Sequence, residues 1–287
     1  MSGLSLHLVL YQVVILLITA SLADAQRIAF IEPEKQSGVA GFVHLLQNGI
    51  GTNLKVIDIS LSESAFRSVE SQNIFNLTTD EGKRIGSVIG CDHFILMRTQ
   101  TQRRESLDRG TYYEAYAAAF VVNARSGRLD GWLLNSVDER SPEKAEQLLR
   151  DQTRSISSDI VKIVKDPKNA NQQKSSGKFE MVPSDDSPLA QGLKPPIPYR
   201  RIKPEYTSMA FLYGIRGTVE IEVDIAADGN VERTSIEHWA GYGLDESVEK
   251  AVRSMNWRPA MRNGKALAMR VLLRYNFTKI EKDNDEP

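Results

Sequence analysis

Between Gly217 and Ile225 the chain alternates strictly, with Val219, Ile221, Val223 and Ile225 apolar and Thr218, Glu220, Glu222 and Asp224 polar. That is the pattern of a strand with one buried and one wet face. Ala226-Ala227-Asp228-Gly229-Asn230 follows, and its Asp and Gly suit a reversal into a second strand from Val231 to about His238. The period then changes. Leu244, Val248, Ala251, Val252 and Met255 share one helical face and Glu246, Glu249, Lys250 and Arg253 the other, with Asp245 expected as the N-terminal cap. Trp257-Arg258-Pro259-Ala260 ends this helix, because proline disfavours helical geometry in the residue before it. From Met269 to Phe277 the alternation returns, Arg270, Leu272, Arg274 and Asn276 taking the polar side. The order β-β-α-β buries one face of a three-stranded antiparallel sheet under a single helix and leaves at least one sheet edge open.

Upstream, Ile28 to Ile31 reads as a strand, Val39, Phe42, Val43 and Leu46 as a helical stripe, and Leu54 to Ile59 as a second strand. Thr78 and Glu81 have the spacing of a capping box at the start of a helix that runs to Ile89. Strands are predicted from Cys91 to Thr99, from about Tyr112 to Asn123 and from Arg128 to Val137, and Ser141-Pro142-Glu143 opens one long helix. These elements predict an α/β sandwich on a mixed sheet. The stretch from Asp166 to Pro198 is polar and without period, which predicts a flexible linker and two hinged halves. The expected chain is therefore a two-domain α/β plus α+β protein. Its parts are an exported leader (1–25), a mixed-sheet sandwich (26–166), a linker (167–198), a β-β-α-β domain (199–280) and a polar tail (281–287).

Composition adds exclusions. Across 287 residues, 36 Lys and Arg face 37 Asp and Glu, for a net charge of -1, so no nucleic-acid partner is expected. Cys91 is the single cysteine, which rules out an internal disulfide. Leu4 to Leu22 is largely apolar and Ala23-Asp24-Ala25 offers a signal-peptidase site, predicting export to the periplasm. The run also approaches the ~20 residues that cross a bilayer. An uncleaved inner-membrane anchor facing the periplasm is the alternative, and membrane contact is expected only then. No phosphate-binding glycine loop, paired-histidine metal motif or nucleophile elbow occurs, so neither catalytic residues, metal nor cofactor are expected. Asp92 and His93 are adjacent on a strand and point to opposite faces.

Lys203-Pro204-Glu205-Tyr206, Ile215-Arg216-Gly217-Thr218-Val219, Asp228-Gly229-Asn230-Val231, Leu244-Asp245-Glu246, Ala251-Val252 and Trp257-Arg258-Pro259-Ala260 occur in that order. Their order and spacing resemble the TonB C-terminal domain family, with Thr207 standing where that family usually has proline. The resemblance implies an exported, non-enzymatic adaptor that takes up an extended peptide on its last strand, as the family does with the TonB box of outer-membrane transporters. Carried onto this chain, that strand is Met269 to Phe277, and Arg270, Leu272, Arg274 and Asn276 would meet the partner, with Lys203 in a further contact segment. The first half is similar to the N-terminal domain of TolB, through Gly90-Cys91-Asp92-His93-Phe94-Ile95-Leu96 and Val122-Asn123-Ala124-Arg125-Ser126-Gly127. The expected partner is an envelope protein or a TonB-box-like peptide, an outer-membrane transporter among the candidates, and an open edge also leaves a homodimer open. Two alternatives stand: an energy transducer, which the spacing of Ser5 and His7 does not favour, and an envelope hydrolase using Asp92 or His93.

Overall fold

The computed structural model describes residues 26–34, 39–69, 73–166, 179–184 and 186–278. The expected leader and polar tail lie outside them. In the first half β1 (Arg27–Ile31) is followed by α1 (Phe42–Ile50), β2 (Lys55–Val56), α2 (Ile59–Arg67), α3 (Thr79–Ile89), β3 (His93–Ser106), β4 (Gly110–Asn123), β5 (Leu129–Glu139), α4 (Pro142–Asp151) and α5 (Thr153–Val164). The strands form one mixed sheet in the order β2-β1-β3-β4-β5, parallel around β1 and antiparallel beyond it. Parallel neighbours need crossovers, which α1, α2 and α3 supply. The Thr78 hydroxyl accepts the Glu81 N–H while the Glu81 carboxylate accepts the Thr78 N–H, closing the expected capping box.

Two elements differ from expectation. The strand expected to reach Ile59 stops at Val56, because Asp58 accepts the Leu61 N–H at 3.1 Å and starts α2 instead. The long C-terminal helix is divided at Gln152. There the Thr153 hydroxyl bonds the Arg150 carbonyl at 2.7 Å, a side-chain donor competing with the backbone ladder.

The stretch expected as linker adds strands to the C-terminal half. β6 (Glu180–Met181), β7 (Leu193–Lys194) and β8 (Ile197–Pro198) pair with β14 (Met269–Phe277), β12 (Ala260–Arg262) and β11 (Trp257–Arg258) respectively. Between them and β11 lie α6 (Ser208–Leu212), β9 (Gly217–Ile225), β10 (Val231–His238) and α7 (Leu244–Arg253), and β13 (Lys265–Leu267) precedes β14. β10, β9 and β14 make the expected three-stranded antiparallel sheet, β6 lying parallel on the outer side of β14. Val219, Ile221, Val223 and Ile225 pack with Leu244, Val248 and Val252 of α7, so the alternation read in the sequence decides the buried face.

The halves are not hinged. Ile28, Phe30, Ile95, Ala117 and Val121 on one face of the first sheet pack with residues of α1, α4 and α5. Ala29, Phe94, Leu96 and Phe120 on its other face belong to the same apolar cluster as Ile221, Trp239, Tyr242 and Val252. Phe120 stacks on Trp239 with ring centroids 5.8 Å apart and meets Tyr242 edge-on at 5.5 Å. Gly241 has φ +69°, and a Cβ there would stand 2.5 Å from Cε1 of Phe120. Asn76 closes the seam. Its amide donates to the Trp239 and Thr218 carbonyls at 2.6 and 2.8 Å and its Oδ1 accepts the Thr218 N–H at 2.8 Å. The polarity of the connecting stretch says only that the tether has no core of its own. It says nothing about whether the faces it joins will meet.

Candidate peptide-docking edge

β14 is bound along its inner side and almost free along its outer side. Its nine residues pair with β9 from Met269 opposite Ile225 to Phe277 opposite Gly217, without a bulge. On the outer side, among the described residues, only Met269 and Arg270 are paired, with β6, and the Val182 N–H donates to the Arg270 carbonyl at 2.9 Å. The N–H and C=O of one residue in an antiparallel strand point to the same side, and successive residues alternate. Since the Arg270 carbonyl points outward, so do the backbone groups of Leu272, Arg274 and Asn276. Among the described residues no strand pairs with those three on that side.

The side chains of the same residues lie on the wet face, over the acidic row of β9. Arg270 is held by Asp224, with Nε at 2.6 Å from Oδ1 and Nη2 at 2.9 Å from Oδ2, and its Nη1 is 3.2 Å from Glu222. Arg233 of β10 reaches the same Asp224 at 3.0 Å. Burial pushes the Asp224 carboxyl up, but hydrogen bonds from Arg270 and Arg233 outweigh it and hold it below its ordinary value. Glu222 goes the other way, raised by burial and by Glu237. Arg274 bonds Glu220 through Nε at 2.6 Å, and the Thr218 hydroxyl meets Asn276 Oδ1 at 2.9 Å. Leu272 is half exposed. The edge is therefore a row of unpaired backbone groups on a strand whose side chains are already fixed by the sheet.

Residues 202–278 match the family described as the Gram-negative bacterial TonB protein C-terminal. This segment is a TonB C-terminal domain. Among solved structures, the chain is similar to the Pseudomonas aeruginosa TonB C-terminal domain at 28% identity, covering 36% of this chain and 98% of that one, with a TM-score of 0.28. It is similar to a lipoprotein from Neisseria meningitidis at 13% identity, covering 47% and 98% with a TM-score of 0.31. A third is the LpoB C-terminal domain from Salmonella enterica, at 9% identity, covering 44% and 93% with a TM-score of 0.27. No curated protein matches the chain.

Within the TonB domain the opposite sheet edge, β10, is covered at one end. Thr78 bridges to His238 at the end of β10 and the Trp239 N–H donates to the Leu77 carbonyl at 3.1 Å, so the first half covers the His238 end of β10, while among the described residues no strand pairs with the rest of it on that side. Thr207, in the place of the family's proline, caps α6 through the Ala210 N–H and donates to the Tyr242 carbonyl at 2.7 Å. Lys203 is not brought to the β14 row. It lies with Tyr199, Arg201 and Met255 around a separate depression, and no hydrogen bond or ion pair joins it to Arg270, Leu272, Arg274 or Asn276. Asp245 does not cap α7. Gly243 holds the cap position, and the Asp245 carboxylate reaches back to the N–H groups of Ala240 and Gly241 at 2.9 and 2.8 Å. Burial pushes that carboxyl up to about 7 against the pull of both bonds.

The sequence reading missed the contact of β6 with β14. Its signal is short: Phe179-Glu180-Met181-Val182 is the one apolar-acidic alternation between Lys178 and Pro183 in an otherwise polar stretch. In the first half Asp92 accepts the Arg27 N–H at 2.8 Å, while His93 is buried and pairs with Asp130 at 3.0 Å. Among the described residues no group of His, Cys, Asp and Glu is placed to hold a metal ion, and no helix is long and apolar enough to cross a membrane.

Proposed function

We propose that this protein is an exported, non-enzymatic adaptor of the periplasm that captures an extended segment of an envelope protein as an added strand on β14. An outer-membrane transporter with a TonB-box-like peptide is the partner class that the domain family favours. The observation that carries the reading is the outward row of backbone donors and acceptors at Leu272, Arg274 and Asn276, with which no strand pairs among the described residues. Added strands draw affinity from main-chain hydrogen bonds and specificity from alternate side chains. Here Leu272 supplies the exposed apolar contact between two arginines that are already paired.

The test is a photo-crosslinking amino acid at Arg274, in cells, with and without Leu272→Pro. The proline removes an outward N–H and leaves the β9 ladder intact. Specific adducts that disappear in the Leu272→Pro background support strand addition. Adducts of equal yield in a folded Leu272→Pro protein overturn it.

A further inference from the structure

We infer that Phe179–Val182 is a built-in competitor for the docking edge, holding its first positions until a partner segment of like chemistry displaces it. The inference rests on the strand-addition reading above and concerns how that site is controlled. β6 already does what an incoming segment would do. It lies extended along β14, with Glu180 opposite Met269 and Met181 opposite Arg270, and the Val182 N–H is bonded to the Arg270 carbonyl. In that register the Arg270 N–H faces the Glu180 carbonyl, as a parallel ladder requires.

Its hold is weak. Two residues pair, Met181 is 46% exposed, and the Glu180 carboxylate stands 3.9 Å from Arg262 with most of its surface in water. Val182 alone is seated on the core cluster. Exposed ion pairs of this kind contribute little. The segment survives on the edge because it is tethered: linkage to β7 and β8 gives it an effective concentration that a free peptide reaches only on the order of millimolar.

The competitor also describes the partner. A segment that replaces it must be extended, place a carboxylate beside Arg262, and bring an aliphatic residue two positions later onto the Val182 seat. It then gains what β6 cannot reach, the outward backbone of Leu272, Arg274 and Asn276. A partner meeting all four outward residues thus outcompetes a tenant that meets one.

The probe is a synthetic peptide with the sequence of residues 177–184, added to the full chain and to two variants. Val182→Pro removes the one donor to Arg270, and replacement of residues 179–182 by Gly-Ser-Gly-Ser removes the strand altogether. Hydrogen exchange at the Arg270 amide reports whether β6 has left. The expected result is binding about tenfold tighter or more to the replaced chain than to the unmodified one, faster exchange at Arg270, and loss of binding on adding Leu272→Pro. Equal affinity for both chains, still lost with Leu272→Pro, overturns the competitor and leaves the docking edge standing. Absence of binding to the replaced chain, or binding indifferent to Leu272→Pro, overturns both.

Discussion

Asp224 and Asp245 are both nearly closed to water, and their surroundings push them in opposite directions. Asp224 meets two guanidiniums and its carboxyl is held low, so the charged form is favoured in the fold. Its contribution is present above the ordinary aspartate range and is lost as the pH falls through the depressed value. Asp224→Asn is expected to cost about 1.5–3 kcal/mol near neutral pH, the range for hydrogen bonds to charged groups, and less in acid. Denaturant titrations at several pH values check this, and an unchanged midpoint at pH 7 would refute it. Asp245 meets only two backbone N–H groups in a buried loop, and its carboxyl rises to about 7. The folded chain keeps this proton between about pH 4 and 7 while the unfolded chain has lost it. Stability from this group therefore falls as the pH rises through that window and is flat above it. Asp245→Asn should remove that slope; a variant whose pH profile runs parallel to the parent's would sink the assignment. Neither role is written in the local sequence. Asp245 two residues after Gly243 looks like a helix cap, and only the return of the chain at Ala240 and Gly241 gives it other donors.

At the scale of one strand, β14 was legible almost completely, because alternation fixes both which side chains are buried and which backbone groups face outward. The wet-face residues Arg270, Leu272, Arg274 and Asn276 and the outward N–H groups belong to the same positions. Pairing among Arg270, Arg274 and the acids of β9 was not legible, since it needs the register between segments some forty residues apart. The double role of alternation makes a sharp prediction. Leu272→Pro deletes an N–H that faces solvent, and the domain is expected to stay folded. Leu273→Pro deletes one aimed at Ile221, stranding a carbonyl at a cost of about 1–3 kcal/mol before any clash of the ring. Thermal melts by circular dichroism compare the two, and equal melting temperatures would mean that the outward assignment is wrong. β6 escaped notice for a physical reason: two residues carry too little pattern to register, and what orders them is the strand they lie on.

At the scale of the molecule the two described halves share one core, because Phe120, Trp239, Tyr242 and Asn76 join sheets that the sequence presents as separate units. Each aromatic looks like core in its own half, and nothing along the chain says that the two cores are one. A shared core predicts a single cooperative unfolding transition. Gly241→Ala places a methyl group against Phe120 and a side chain in a left-handed conformation, which costs roughly 1–2 kcal/mol for the backbone alone. The variant should loosen the seam, cutting sooner under limited proteolysis between the halves. Two separate transitions in the parent protein would contradict the shared core. The residues that make the seam also carry an incidental message. Asn76-Leu77-Thr78 is an acceptor sequence for asparagine-linked sugar. In a host whose secretory pathway attaches glycans to nascent chains, a sugar on the Asn76 amide would occupy the nitrogen that bonds Thr218 and Trp239. Production there would yield a chain whose seam cannot close at Asn76, so the choice of expression host decides which molecule is being studied.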